Sequence, residues 1–295
     1  MPTPNDVALC LDWPRSTAQT SQGPVVYADR GTGDALLCVH GTPGGCDQGL
    51  LVAEFFRANG FRVLAPSRPG YLGTPLTSGR TPREQADLFA ALLDAEQIEQ
   101  IAVIGVSGGG PSTYLLAAHH ADRVSCLVQF SSVAMPWSQS AGTTLGDRVG
   151  MSRLGNDLLM WLFDHRPSLL DRLMGSPAGN HGQALREDPA RWAMLRTLIA
   201  SAGGKPPRRA GYDNDLTQFA NLATLPLSAI ACPTLLVHGT ADINVTPAHT
   251  DHASATIPGA EVRWIDQGSH IAWLIEDGAV SYRLALEFLT RHGCH

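Results

Sequence analysis

The stretch that most constrains this chain is 101–120, IAVIGVSGGGPSTYLLAAHH. IAVIGV is a short continuous apolar run, the mark of a strand buried on both faces. It leads at once into Gly105-Val106-Ser107-Gly108-Gly109, a G-x-S-x-G sequence, and then into a helix-forming segment. A serine lodged between strand and helix sits in a sharp turn with strained backbone angles, and only small neighbours avoid a clash there. The turn lifts the hydroxyl off the sheet edge. The helix start then aims free N–H groups and a positive dipole at it. The competing reading is a phosphate-binding loop. That loop needs G-K-[ST] at its end, and Gly110-Pro111-Ser112 supplies no lysine; G-x-G-x-x-G spacing is also missing.

Similar apolar runs recur along the chain. PVVYADRGTGD (24–34) reads as a strand ending in a Gly-rich turn, and ALLCVH (35–40), FRVLAPS (61–67), RVSCLVQFSS (123–132), TLLVHGTAD (234–242) and AEVRWID (260–266) read as further strands. Between them lie helix signals. Thr81, Pro82 and Glu84 form a capping box for a helix reaching about Gln97, with Ala86, Phe89, Ala90 and Leu93 on one side. Thr246–Pro247 starts another helix, and a last one covers 277–291. Strands alternating with helices predict an α/β fold with a mainly parallel sheet covered on both faces. Residues 135–225 break the rhythm. They show no strand pattern and hold every methionine but Met1, with Trp137, Trp161, Trp192 and Phe219. They read as a helical insertion over the sheet. Most of its Met and Trp residues are expected to be helix-packing core. Met135, Trp137, Met160 and Trp161 are the candidates for lining a substrate cleft below it.

Composition removes several function classes. Hydrophobic residues are 44% of the 295, charged residues 16%, and the net charge is −6. An acidic balance disfavours nucleic acid as a partner, because phosphate binding needs a basic surface. No apolar stretch reaches the roughly 18 residues of a spanning helix, so no membrane partner is expected. The opening MPTPNDVALCLDWPRS has neither the basic start nor the apolar run of a signal peptide. Cys10, Cys38, Cys46, Cys126, Cys232 and Cys294 are scattered, without zinc spacing. Buried, reduced thiols and a cytoplasmic location are the expectation, with no metal site.

A serine hydroxyl needs a base to remove its proton. Of the 11 histidines, His270 stands in a loop, Gln267-Gly268-Ser269-His270, directly after the last expected strand, where parallel-sheet proteins build their sites. His40 and His238 end strands and are read as loop braces. His119, His120, His249 and His252 fall on expected helices and are read as surface residues. The base needs a carboxylate on its other nitrogen. Asp242 follows TLLVHG after a short turn and leaves room for one helix and one strand before His270; Asp266 is its nearest rival. His40-Gly41-Thr42-Pro43-Gly44-Gly45 offers a flexible backbone for an oxyanion. The Thr42 and Gly108 N–H groups are the candidate donors.

HGTPGG, SRPGYLGTP (67–75), GVSGGGP, HGTAD and GSH occur in the order of the α/β-hydrolase superfamily, which the chain resembles over nearly its whole length. The resemblance implies an eight-stranded, mainly parallel sheet flanked by helices. It implies a core domain of residues 1–134 and 226–295 with a helical cap at 135–225, no cofactor, and a site between sheet and cap. The elbow departs from the GGSWG of prolyl aminopeptidases, although HGTPGG resembles their HGGPGG, and peptidase activity is disfavoured. A serine where an aspartate would stand disfavours haloalkane dehalogenase and epoxide hydrolase chemistry. The implied activity is hydrolysis of carboxylic esters, extending to lactones or thioesters, of small to medium, mainly apolar molecules. The alternative is carbon–carbon bond hydrolysis of a β-diketone-like or ring-cleavage product, with Arg153, Arg166, Arg191 and Arg196 as candidate contacts for an acidic substrate. A ligand-binding protein without turnover is the third reading.

Overall fold

The computed structural model describes residues 3–138, 153–165, 187–203, 208–276 and 279–293. Met151, Met174, Arg166, His181, Cys294 and His295 lie outside the described residues. Eight strands form one sheet: β1 (Ser16–Thr20), β2 (Gly23–Arg30), β3 (Ala35–Val39), β4 (Arg62–Pro66), β5 (Ile101–Val106), β6 (Val124–Phe130), β7 (Thr234–Gly239) and β8 (Glu261–Ile265). Their order is β1-β2-β4-β3-β5-β6-β7-β8. Pairing is antiparallel from β1 to β2 and from β2 to β4, and parallel from β4 through β8.

The apolar runs form strands because they bury both faces at once. Along β3, Leu36 and Cys38 join one core while Leu37 and Val39 join the other. β5 splits the same way, with Ala102, Ile104 and Val106 on one side and Ile101 and Val103 on the opposite side. This two-residue alternation is the pleat of a sheet covered on both faces. The helices α1 (Pro4–Asp12), α2 (Cys46–Ala58), α3 (Pro82–Ala95), α4 (Gly110–His119), α5 (Arg153–His165), α6 (Pro189–Ala202), α7 (Arg209–Ala220), α8 (Ala248–Thr256), the short α9 (Ala272–Ile275) and α10 (Val280–His292) provide that cover. Phe55 and Phe56 of α2 and Tyr282 and Phe288 of α10 serve the first core; Phe89 of α3 and Leu116 of α4 serve the second. Each such side chain contributes about 1.5–3 kcal/mol when fully buried.

Among the described residues, 135–225 contribute helices α5, α6 and α7 and no strand. α6 adds Met194 and Leu195 to the first core, and Phe219 of α7 is also buried, so these side chains pack as the composition predicts. β1 and α1 are elements the sequence reading did not include. β1, STAQT, is a largely exposed edge strand whose polar residues carry no apolar alternation. Of the five described cysteines, all free, four are buried and Cys232 is half-buried.

The capping box of α3 is formed as expected. The Thr81 side chain accepts from the Glu84 N–H, and the Glu84 carboxylate accepts from the Thr81 N–H at 2.8 Å. Replacing a capping threonine by alanine costs about 1 kcal/mol. Thr81→Ala is therefore expected to lower stability by roughly that amount in urea unfolding, with the slope unchanged. A loss under about 0.3 kcal/mol contradicts the capping assignment.

Candidate active site

The parallel strands deliver their C-terminal ends to one edge of the sheet, where open α/β sheets place their sites. At the end of β5, Ser107 has φ +49°, in the left-handed region that a residue with a side chain rarely adopts. The strain is sustained by the surroundings. Val133 N–H donates to the Ser107 carbonyl at 3.0 Å, and Gly41 approaches so closely that a Cβ there would lie 3.1 Å from Ser107 Cβ. Gly108 must also be bare, because a Cβ on it would collide with Thr42 Oγ1.

His270 and Asp242 meet this serine from the ends of β8 and β7. His270 Nε2 lies 3.0 Å from Ser107 Oγ, and His270 Nδ1 lies 2.7 Å from Asp242 Oδ2. The two loops are laced together: Ala241 N–H donates to the Gly268 carbonyl at 2.9 Å, and Gln267 N–H to Thr240 Oγ1 at 2.8 Å. The Trp273 indole donates to the His270 carbonyl at 3.1 Å. Asp242 is fully buried at its side chain, while His270 keeps 19% of its side chain exposed. Burial opposes the charge on Asp242. The positive field of His270 and the hydrogen bonds from His238 and His270 outweigh it and hold the carboxyl well below its ordinary range. Oδ1 accepts from the Asn244 and Val245 N–H groups at 2.8 and 3.0 Å. A carboxylate fixed this way sets the imidazole with its proton on Nδ1 and leaves Nε2 able to accept from the serine.

Thr42 follows β3. The Thr42–Pro43 peptide bond is cis. Its side chain rests against Gly108, so the two candidate oxyanion donors are neighbours across the Ser107 turn. Gly108 lies in the first turn of the helical segment that begins at Ser107, where N–H groups lack intrahelical acceptors.

Residues 36–281 match the model of the Alpha/beta hydrolase family. The chain belongs to the alpha/beta hydrolase family. Among solved structures, this hydrolase is similar to an alpha/beta hydrolase fold protein from Nakamurella multipartita, with 38% identity and a TM-score of 0.83, covering 94% of this chain and 99% of that one. It is 28% identical over 273 residues to a Bacillus subtilis protein named "Uncharacterized hydrolase YcgS", covering 90% of this chain and 95% of that protein. It is 27% identical over 266 residues to a 2-hydroxymuconate semialdehyde hydrolase of Pseudomonas putida, covering 88% and 89%.

Other residues singled out from the hydrolase's sequence fall in several places. Trp137 is half-buried near the site: its indole donates to the Asn244 carbonyl at 2.6 Å, and its ring meets Phe219 edge-on at 6.3 Å. Met135 is half-buried next to it. Met160 and Trp161 lie on α5. Trp161 is half exposed and stacks on His165, and among the described residues neither joins the triad's hydrogen bonds or ring contacts. Asp266 is exposed. His249, read from sequence as a surface residue, is instead buried. Its Nδ1 accepts from the Ala134 and Met135 N–H groups at 3.1 and 3.2 Å, and burial lowers its basicity to a pKa of about 4. His238 was read as a loop brace, and it is more closely tied to the site than that: Nε2 lies 3.0 Å from Asp242 Oδ2 and 2.8 Å from the Val245 carbonyl. Among the described residues no cluster of His, Cys, Asp and Glu could hold a metal, and no helix is long and apolar enough to cross a membrane.

The folded Asp242 carboxyl binds protons less readily than the unfolded one, whose pKa is near 3.9. Its stabilising effect is therefore complete above about pH 5 and declines as pH falls toward the depressed folded value. Urea unfolding of wild type and Asp242→Asn should show a stability gap at about pH 5 that narrows at about pH 3. A gap that holds or widens over that interval contradicts the assignment.

Proposed function

We propose that this hydrolase cleaves carboxylic esters of small to medium, mainly apolar molecules through an acyl-serine intermediate. The observation that carries the proposal is the unbroken relay from Ser107 Oγ to His270 Nε2 at 3.0 Å and from His270 Nδ1 to Asp242 at 2.7 Å. Ser107 Oγ attacks the acyl carbonyl as its proton passes to His270 Nε2. The carbonyl oxygen becomes an oxyanion held by the Thr42 and Gly108 N–H groups. His270 then gives the proton to the departing alcohol, leaving an ester on Ser107. Water, deprotonated by the same imidazole, attacks that ester and releases the acid and the free serine. Asp242 stays ionised throughout and stabilises the imidazolium. Lactones and thioesters fit the same steps, since only the leaving atom changes. Oxirane or haloalkane opening does not: a serine attacking carbon there leaves an ether, which the relay has no means to hydrolyse.

An apolar substrate is supported by the aromatic pair of Trp137 and Phe219 beside the Ser107 turn. In this reading residues 135–225 act as a cap over the cleft, and substrate is a small molecule handled without cofactor or metal. Carbon–carbon bond hydrolysis with the same triad is a second reading, favoured by the similarity to the Pseudomonas putida hydrolase. Of its candidate substrate arginines, Arg191 is held by Asp188 at 2.8 Å and Arg196 is exposed. Neither observation supports a guanidinium reserved for an acidic substrate.

With p-nitrophenyl butyrate, Ser107→Ala and His270→Ala are each expected to lower kcat by about 10⁴-fold or more. Folded variants retaining turnover within about tenfold of wild type overturn the acyl-serine route. Rapid cleavage of a dienoate by a wild-type enzyme inert to simple esters replaces the first reading with the second.

A further inference from the structure

Outside the triad, a buried carboxylate near the site, Asp215 of α7, is heavily hydrogen-bonded. It stands far along the chain from the oxyanion loop, in the segment between β6 and β7, yet its carboxylate is 1% exposed and lies beneath Thr42. Four donors converge on it. Thr42 Oγ1 donates to Oδ2 at 2.5 Å and the Tyr71 hydroxyl at 2.6 Å. Arg68 donates twice, from Nη1 to Oδ1 at 2.8 Å and from Nη2 to Oδ2 at 2.7 Å.

Arg68, fully buried, carries the hold onward. Its Nε donates to the His40 carbonyl at 3.1 Å, and Nη2 donates to the Gly41 carbonyl at 3.0 Å and to Thr42 Oγ1 at 2.8 Å. Its main-chain N–H donates to His40 Nε2 at 2.9 Å. Each of the three residues at the start of the loop, His40, Gly41 and Thr42, is therefore bonded to Arg68, and Arg68 is fixed by Asp215. One turn further along α7, Phe219 comes close to Gly108, where a Cβ would lie 3.0 Å from its ring. One face of one helix thus touches both residues whose N–H groups receive the oxyanion in the acyl-serine route.

Burying an ion pair is a weak route to stability, because desolvation consumes most of the attraction. A hydrophobic pair would fill the same space. What Asp215 and Arg68 supply instead is direction. The threonine hydroxyl has one proton to give and accepts in return, so its rotamer is fixed, and the main chain that bears it is fixed at the adjacent carbonyls. An oxyanion donor is effective only when it is already aimed at the place the charge will develop.

We propose that Asp215 is a positioning residue for the oxyanion hole, aiming the Thr42 N–H through Arg68, Tyr71 and the Thr42 hydroxyl. The proposal rests on the acyl-serine reading. Three variants test it: Asp215→Asn, Tyr71→Phe and Thr42→Val. Asp215→Asn leaves Arg68 buried without a counter-charge and can fail to fold. Tyr71→Phe keeps both charges and removes one donor, and Thr42→Val removes the hydroxyl while keeping the N–H.

The measurements are kcat and KM with p-nitrophenyl butyrate, and inhibition by a butyl trifluoromethyl ketone. Ser107 Oγ adds to the ketone carbonyl and its proton passes to His270, leaving a hemiketal oxyanion in the hole. The expected result is a fall in kcat of about 10-fold for Tyr71→Phe, less than outright loss of one oxyanion donor produces, and about 100-fold for Thr42→Val and any folded Asp215→Asn, at the lower end of that range. KM should stay within about twofold, and ketone inhibition should weaken by the same factor as kcat. Folded Tyr71→Phe and Thr42→Val proteins with kcat and ketone affinity both within about twofold of wild type overturn the proposal and leave the acyl-serine reading intact. Equal losses in KM, kcat and thermal stability without selective loss of ketone affinity also overturn it, since they indicate a structural role alone. A wild-type enzyme insensitive to the ketone overturns the acyl-serine reading, and this proposal with it.

Discussion

The Asp242 carboxylate is a buried charge, and a buried charge persists only where donors surround it. Here the main chain supplies two, from Asn244 and Val245, and two imidazoles supply the rest, His238 at 3.0 Å and His270 at 2.7 Å from the same oxygen. His238 sits within β7, and its other nitrogen is held too, lying 2.6 Å from Thr250 Oγ1. The carboxylate is consequently locked from the strand side and offers one geometry to His270 on the open side. In the acyl-serine route the rest of the site depends on that: the tautomer of His270, the direction of its Nε2, and the loss of the Ser107 proton.

The sheet makes this arrangement cheap to hold. Ser107, Asp242 and His270 each follow the end of a parallel strand, and the strands are fixed relative to one another by ladders that run without interruption from β4 to β8 apart from one irregularity at the start of β5. The ladders thus fix where each loop begins, although β5 and β8 stand three places apart in the sheet and the loops must bring His270 to Ser107. Loops do the remaining adjustment over short spans, and glycine makes the closest approach possible. A side chain at Gly239 would collide with the main chain of Gly268, which would separate the loops bearing Asp242 and His270.

Much of this geometry was readable from residues alone. β3, β5 and β7 announce themselves as apolar runs because both faces are buried, and the positions of Ser107, Asp242 and His270 follow from where such runs stop. What was not readable depends on contacts between distant segments. β1 is polar because it is an exposed edge, so it has no apolar pattern to detect. His249 looked like a surface residue because its helix, AHTDHASAT, carries little apolar periodicity, yet the ring is drawn inward by two main-chain N–H groups. Asp215 gave no sign at all. An acid in a helical segment is ordinarily solvated, and only the fold brings Arg68, which belongs to the SRPGYLGTP segment, against it. Trp161, a candidate for lining a cleft because an inserted lid presents apolar surface to the sheet below, is half exposed and stacks on His165.

The central claim is that Ser107 Oγ is the atom that becomes acylated. The most direct measurement is to treat the native enzyme with a fluorophosphonate, digest it, and locate the phosphonyl group by mass spectrometry. The relay predicts a single adduct on the peptide containing Ser107, absent when the enzyme is denatured first and absent from His270→Ala under the same conditions. An unlabelled native enzyme, or an adduct on another residue with Ser107 unmodified, would contradict it.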